Sequence, residues 1–177
     1  YSLLDGLGKI DQLLTRAKEL NMDSLALTDH GVMYGIIEFY EAAKAMDIKP
    51  ILGVEAYIAP RRLTDKSSRE DGKPYHLVLL AESFEGYRNL LKLVSIAHKE
   101  GYYYKPRIDK EVLKKYSRGL IATSACLVGE VPSVVAAQNI EKAVKIIKEH
   151  QEIFGKENFF LELQDHPELP EQGQVNS

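Results

Sequence analysis

Two apolar runs end in residues that bind metals. Ser24-Leu25-Ala26-Leu27 leads into Thr28-Asp29-His30-Gly31, and Lys49-Pro50-Ile51-Leu52 leads into Gly53-Val54-Glu55. Two further residues of ligand type sit beside apolar runs. His76 lies near the start of Tyr75 to Leu80, and Cys126 follows Gly119 to Thr123. Imidazole, carboxylate and thiolate together suit a divalent ion such as zinc or manganese. Such an ion polarises a phosphoryl oxygen and activates water. Each residue also has a plainer reading. His30 could cap or pack, Glu55 could be a solvated charge at a strand end, and Cys126 could be a small buried hydrophobe.

The elements that would position these side chains follow from hydrophobic period. Lys9 to Asn21 carries Ile10, Leu13, Leu14, Ala17 and Leu20 at helical spacing. Met33 to Met46 reads as a helix with Met33, Ile36, Ile37, Phe39, Tyr40 and Ala43 on its buried face, and Asp29 as its cap. Lys49 to Ile58 reads as a strand stopped by Pro60, and Tyr75 to Leu80 as another. Phe84 to Lys99 is a helix, Ile108 to Tyr116 a short one, Gly119 to Thr123 a strand, Ile140 to Phe154 a helix closed by Gly155, and Asn158 to Leu163 the last strand. Arg61 to Lys73, with Ser67-Ser68 and Asp71-Gly72, reads as an exposed loop. The alternation predicts a parallel α/β sheet or barrel of at least five strands. In such folds the carboxyl ends of the strands carry the site.

A chain of 177 residues is long enough for one domain with a real core. The net charge of −3 argues against a module that simply coats nucleic acid, though not against local binding of it. The single Cys126 allows no internal disulfide and fits a reducing compartment. No apolar run approaches a membrane span, and no signal peptide is evident, so a cytoplasmic location is expected. Tyr1 and the polar stretch Glu168 to Ser177 suggest a piece of a longer protein. His98 and His150 read as surface residues of helices. Asp165 and His166 follow the last strand and could enter the site. Tyr102-Tyr103-Tyr104-Lys105-Pro106-Arg107 mixes rings and cations. It could stack on bases and clamp phosphate, or pack on the sheet as an aromatic loop.

Seven segments closely resemble one family, in order and with compatible spacing. They are Tyr1-Ser2-Leu3-Leu4-Asp5-Gly6, Ala26-Leu27-Thr28-Asp29-His30-Gly31, Gly53-Val54-Glu55, His76-Leu77-Val78-Leu79-Leu80-Ala81, Tyr103-Tyr104-Lys105-Pro106-Arg107-Ile108-Asp109, Ser124-Ala125-Cys126-Leu127-Val128-Gly129-Glu130 and Leu161-Glu162-Leu163-Gln164-Asp165-His166. The family is the polymerase and histidinol phosphatase (PHP) domain at the amino end of the α subunit of bacterial DNA polymerase III. The resemblance covers essentially residues 1–177 as one domain, with the polymerase domains absent. It implies a distorted (β/α)₇ barrel with a zinc or manganese cluster at the strand carboxyl ends. It also implies 3′–5′ exonuclease proofreading by phosphodiester hydrolysis, with the primer-template 3′ end and other replicase subunits as partners.

Residue by residue, the resemblance assigns Asp5, His30, Glu55, His76 and Cys126 as metal ligands. It places a His-x-His motif before Tyr1 and an Asp-x-His motif beyond Ser177. These would bring four of nine expected ligands, so the fragment alone is expected to lack a complete cluster and activity. The resemblance leaves an alternative, since some relatives keep the domain only as a structural brace that docks a separate exonuclease subunit. A stand-alone phosphatase acting on a small phosphomonoester is a weaker reading, because the Tyr-Lys-Pro-Arg and Ser-Ala-Cys segments follow the polymerase branch.

Overall fold

The computed structural model describes residues 6–177. Helix α1 (Ile10–Glu19) leads to strand β1 (Ser24–Leu27), helix α2 (Ile36–Ala45) and the long strand β2 (Lys49–Ile58). Strand β3 (Tyr75–Ala81), helix α3 (Phe84–Lys99), the two-residue strand β4 (Arg107–Ile108), helix α4 (Lys110–Tyr116) and strand β5 (Leu120–Thr123) follow. The chain closes with helices α5 (Glu130–Ala136) and α6 (Ile140–Phe154), strand β6 (Phe159–Phe160) and helix α7 (Pro170–Asn176).

The sheet runs β1-β2-β3-β5-β6 and is mixed rather than parallel. β1 and β2 are parallel and β5 and β6 are parallel, but β3 is antiparallel to both of its neighbours. The fold is therefore mixed α/β. The expectation of an all-parallel sheet fails at β3, because the loop from Ala59 to Pro74 reverses the chain without a crossover helix. β3 takes one edge of β2 from Gly53 to Ile58. The other edge is shared by β1, by the His30 bridge to Glu55 and by β4 at Tyr57 and Ile58.

Strand alternation sorts the side chains into two faces. Val54, Ala56 and Ile58 of β2, Leu77 and Leu79 of β3, and Leu120 and Ala122 of β5 point to one face. They pack against Leu90, Leu93 and Ala97 of α3, Leu113 of α4, and Ile146 and Phe154 of α6. A second cluster seats Leu14 and Ala17 of α1 and Phe39 and Ala43 of α2 beside β1. Leu79 is fully buried at the centre of the sheet. Truncating such a leucine to alanine costs about 2–5 kcal/mol.

Several boundaries differ from the sequence expectation, each for a local reason. α2 begins at Ile36 with Gly35 before it, so Asp29 does not cap it, and Ile37 and Tyr40 lie exposed rather than on its buried face. Residues 29–31 instead continue the pairing with β2: Glu55 N–H donates to Asp29 O and Gly31 N–H to Glu55 O. The helix expected from Ile108 starts at Lys110, because Asp109 caps it by accepting from Val112 N–H, while Arg107 and Ile108 pair with β2. The last strand shrinks to Phe159–Phe160, and the short helices α5 and α7 add to the elements expected from the sequence.

The loop expected to be exposed is tied down. The Arg107 side chain, with no exposed surface, donates to the carbonyls of Leu63, Asp65, Asp71 and Gly101. The buried Asp71 carboxylate accepts two hydrogen bonds from Arg61, which hold its pKa down at about 2 against the cost of burial.

Candidate metal centre

The face of the sheet opposite the helices carries the residues of ligand type. Partners across a ladder project to the same side, so the bridge between His30 and Glu55 points both side chains one way. Tyr57 lies two positions along β2 from Glu55, on that same face, and pairs with His76. Because β3 runs backwards, its first residues lie beside the carboxyl-terminal half of β2. His76, at the start of its strand, therefore meets the strand end that carries Glu55. Cys126 arrives from beyond β5. Ser124 N–H donates to Phe160 O, and Ala125 then takes a left-handed conformation, φ 57°. That turn folds the next residues back until His76 N–H donates to Val128 O. A left-handed alanine costs roughly 1–2 kcal/mol, a strain of the kind found at functional sites.

The resulting geometry is tight. His76 Nδ1 lies 2.6 Å from Glu55 Oε1 and 3.4 Å from Cys126 Sγ. His30 Nδ1 lies 3.4 Å from the other Glu55 oxygen. One ligand atom each from Glu55, His76 and Cys126 falls within 4.8 Å of the others. Burial works against a charge on His76, but hydrogen bonds to Cys126 and Glu55 outweigh it and raise its pKa to about 9. The donor set fits a divalent metal. Two ligands of one tetrahedral zinc lie about 3.5 Å apart, which the histidine–cysteine spacing matches. The shorter histidine–carboxylate contact is a proton bridge, the proton that a metal would replace. A cleft of about 910 Å³ opens beside His30 and Glu55, lined also by Thr28 and Ala26.

Of the residues expected from the sequence, His30, Glu55, His76 and Cys126 are thus brought together. Asp5 lies outside the described residues. His166 is exposed and faces Glu168 at 3.5 Å, and neither it nor Asp165 joins the group around His76. His98 is exposed, as expected, yet its ring Nε2 contacts Gly31 O at 3.0 Å and so steadies the turn after His30. His150 is a correction. It is buried against Phe154 and Phe159, 3.8 Å from Glu130, and burial, with Lys110 nearby, lowers its pKa to about 4. Arg107 is a second correction, since its guanidinium is spent on backbone carbonyls and cannot clamp phosphate.

Sequence reasoning missed Tyr57. Its ring meets the His76 ring edge-on at 5.2 Å, and Lys105 Nζ sits 5.3 Å from its centre. The signal was available, because Tyr57 is two positions from Glu55 on one strand. Gly31 follows His30 at φ +66°, and a Cβ there would collide with Tyr57 and Pro106. The glycine lets the chain pass that close to the ring.

The PHP domain model matches residues 1–166. The chain is 51% identical over 167 residues to the DNA polymerase III subunit alpha of Borreliella burgdorferi, covering 94% of this chain and 14% of that protein. It is 46% identical over 180 residues to the same subunit of Thermus aquaticus, covering 99% of this chain and 15% of that protein. The chain thus spans about one seventh of the length of these relatives. Among solved structures, an amidohydrolase from Chromobacterium violaceum aligns over 67% of this chain and 34% of its own, at 21% identity and a TM-score of 0.40. That similarity is too low to bear on fold or chemistry. The family match and the polymerase relatives, over nearly the whole chain, show that this chain belongs to the PHP domain family.

Proposed function

We propose that this chain is the PHP domain of a replicative DNA polymerase III α subunit, and that its site hydrolyses phosphodiesters from a DNA 3′ end, as a metal-dependent proofreading exonuclease. The observation that carries the reading is the convergence of Glu55 and His76 with Cys126 and His30 from separate segments of the chain. Glu55, His76, Cys126, His30 and Asp5 would hold the zinc or manganese. A bound divalent metal supplies a Lewis acid for a phosphoryl oxygen and lowers the pKa of water. Glu55 orients the His76 imidazole through one oxygen, and its other oxygen lies 3.4 Å from His30 Nδ1. Tyr57 fixes the plane of His76 from outside the ligand set.

The finer reading extends to the fold and its setting. The sheet is part of a distorted (β/α)₇ barrel, in which the face bearing His30, Glu55 and His76 lines the interior. Residues 1–177 form one domain of a longer cytoplasmic polymerase, acting with DNA and other replicase subunits. Among the described residues no helix is long and apolar enough to cross a membrane.

The deciding experiment is elemental analysis of the full-length protein together with degradation of 3′-end-labelled DNA on the same sample. Bound zinc or manganese with chelator-sensitive 3′–5′ degradation is expected. No metal and no degradation would leave the domain as a structural brace that docks a separate exonuclease subunit.

A further inference from the structure

Residues Tyr102 to Arg107 build a column from the core to the surface. At its base the buried Arg107 guanidinium is held by four carbonyl oxygens. The Tyr103 ring lies 5.1 Å over that guanidinium, and the Tyr104 ring lies 4.5 Å from Tyr103. Tyr104 tops the column at 66% exposure, and Tyr102, 53% exposed, lies with its ring 6.3 Å from that of His98. Tyr103 N–H donates to Lys105 O and closes a tight turn, with Tyr104 at its tip at φ 58°. A tyrosine held left-handed costs roughly 1–2 kcal/mol, and an exposed ring recovers little of that by burial.

Lys105 follows at once. Its ammonium rests over Tyr57, so one side chain separates it from His76. Among the described residues no carboxylate forms an ion pair with it. Lys110, by contrast, is neutralised by Glu130 and Glu149.

We infer that this turn holds a single-stranded nucleic acid end at the metal centre: Lys105 takes a backbone phosphate and the open face of Tyr104 stacks a base. A ring and an uncompensated cation on adjacent residues match the alternation of base and phosphate along one strand. A small phosphomonoester would use the cation but has no base for the ring. Within a duplex the base faces are already stacked, so only a frayed or single-stranded end offers one. The inference rests on the phosphodiester reading above and adds the residues that select the substrate.

The test uses the full-length protein and a thymidine oligonucleotide with a 3′-terminal 5-iodouracil. The mixture is irradiated and the crosslinks are mapped by mass spectrometry. Crosslinks to Tyr102 or Tyr104 are expected. Their yield should fall about tenfold in Tyr104→Ala and in Lys105→Ala. It should persist in Tyr104→Phe and Lys105→Arg, and in the control Lys145→Ala. Crosslinks confined to other segments, or a yield indifferent to Lys105→Ala, overturn the inference. Chelator-sensitive hydrolysis of bis(p-nitrophenyl) phosphate, which lacks a base, is followed in the same samples. Crosslinks at the turn without hydrolysis keep the holding role and remove the phosphodiesterase reading. Hydrolysis without those crosslinks does the reverse.

Discussion

His76 is the second residue of its strand and Glu55 lies in the carboxyl-terminal half of another, and their side chains meet at 2.6 Å. The ladder explains this, because Tyr57 pairs with His76 and Glu55 with Val78, which makes Glu55 and His76 diagonal neighbours on one face. If that contact is half of a metal site, its other members should matter for binding and an exposed histidine outside it should not. In the full-length protein, Cys126→Ala and His30→Ala should each weaken zinc binding by at least the 10- to 100-fold seen when even an outer partner of a metal ligand is lost. His166→Ala, at an exposed position, should leave affinity unchanged. Competition titration against a chromophoric chelator reads all three, and equal affinities would undo the assignment.

Gly31 sets where His30 points. Gly31→Ala forces a side chain into a left-handed position and against Tyr57 and Pro106. The expected loss is on the order of 1–2 kcal/mol in stability. Metal affinity should fall with it, although no ligand is touched. Urea denaturation and metal titration of one sample test the pair, and a variant matching the parent in both would show that the close approach is unimportant.

Arg107 should be structural despite lying in a segment rich in cations. Arg107→Ala leaves several buried carbonyls without donors and should destabilise the fold by about 3 kcal/mol or more. Arg107→Lys keeps the charge but cannot reach four oxygens, so it should recover only part. Chemical denaturation midpoints distinguish this from a surface role, for which both variants would lie close to the parent.

The buried His150 predicts an acid-side loss of stability. Its pKa is lowered to about 4 in the folded chain, first by burial and then by Lys110, against the opposing pull of Glu149. In the unfolded chain it titrates near 6.5. Between those values the unfolded state binds the extra proton, so stability should fall as pH drops from about 6.5 toward 4, by up to about 1.4 kcal/mol per pH unit. Above 6.5 the residue should contribute no slope. His150→Phe, facing Phe154 and Phe159, should flatten the dependence across that window. An unchanged slope would mean that other groups carry it.

Much of this protein is written locally. The apolar runs that became β1, β2, β3 and β5, the helices α1, α3 and α6, and the residues of ligand type at the run ends all follow from period and residue type, which the chain carries in any conformation. Strand direction is different. Alternation looks the same in a parallel and an antiparallel strand, so the reversal of β3, and with it the arrival of His76 beside Glu55, depends on pairing between distant segments. A two-residue strand such as β4 has no period to detect. The loop after Pro60 looks mobile until Arg107, more than thirty residues on, supplies the donors that fasten it. His150 reads as a surface residue among its charged neighbours until Phe159 closes over it. The sequence by itself determined which chemistry was available and which segments could carry it. Only the tertiary structure decided which side chains meet, because contact between residues far apart in the chain is set by topology and packing, which no local pattern encodes.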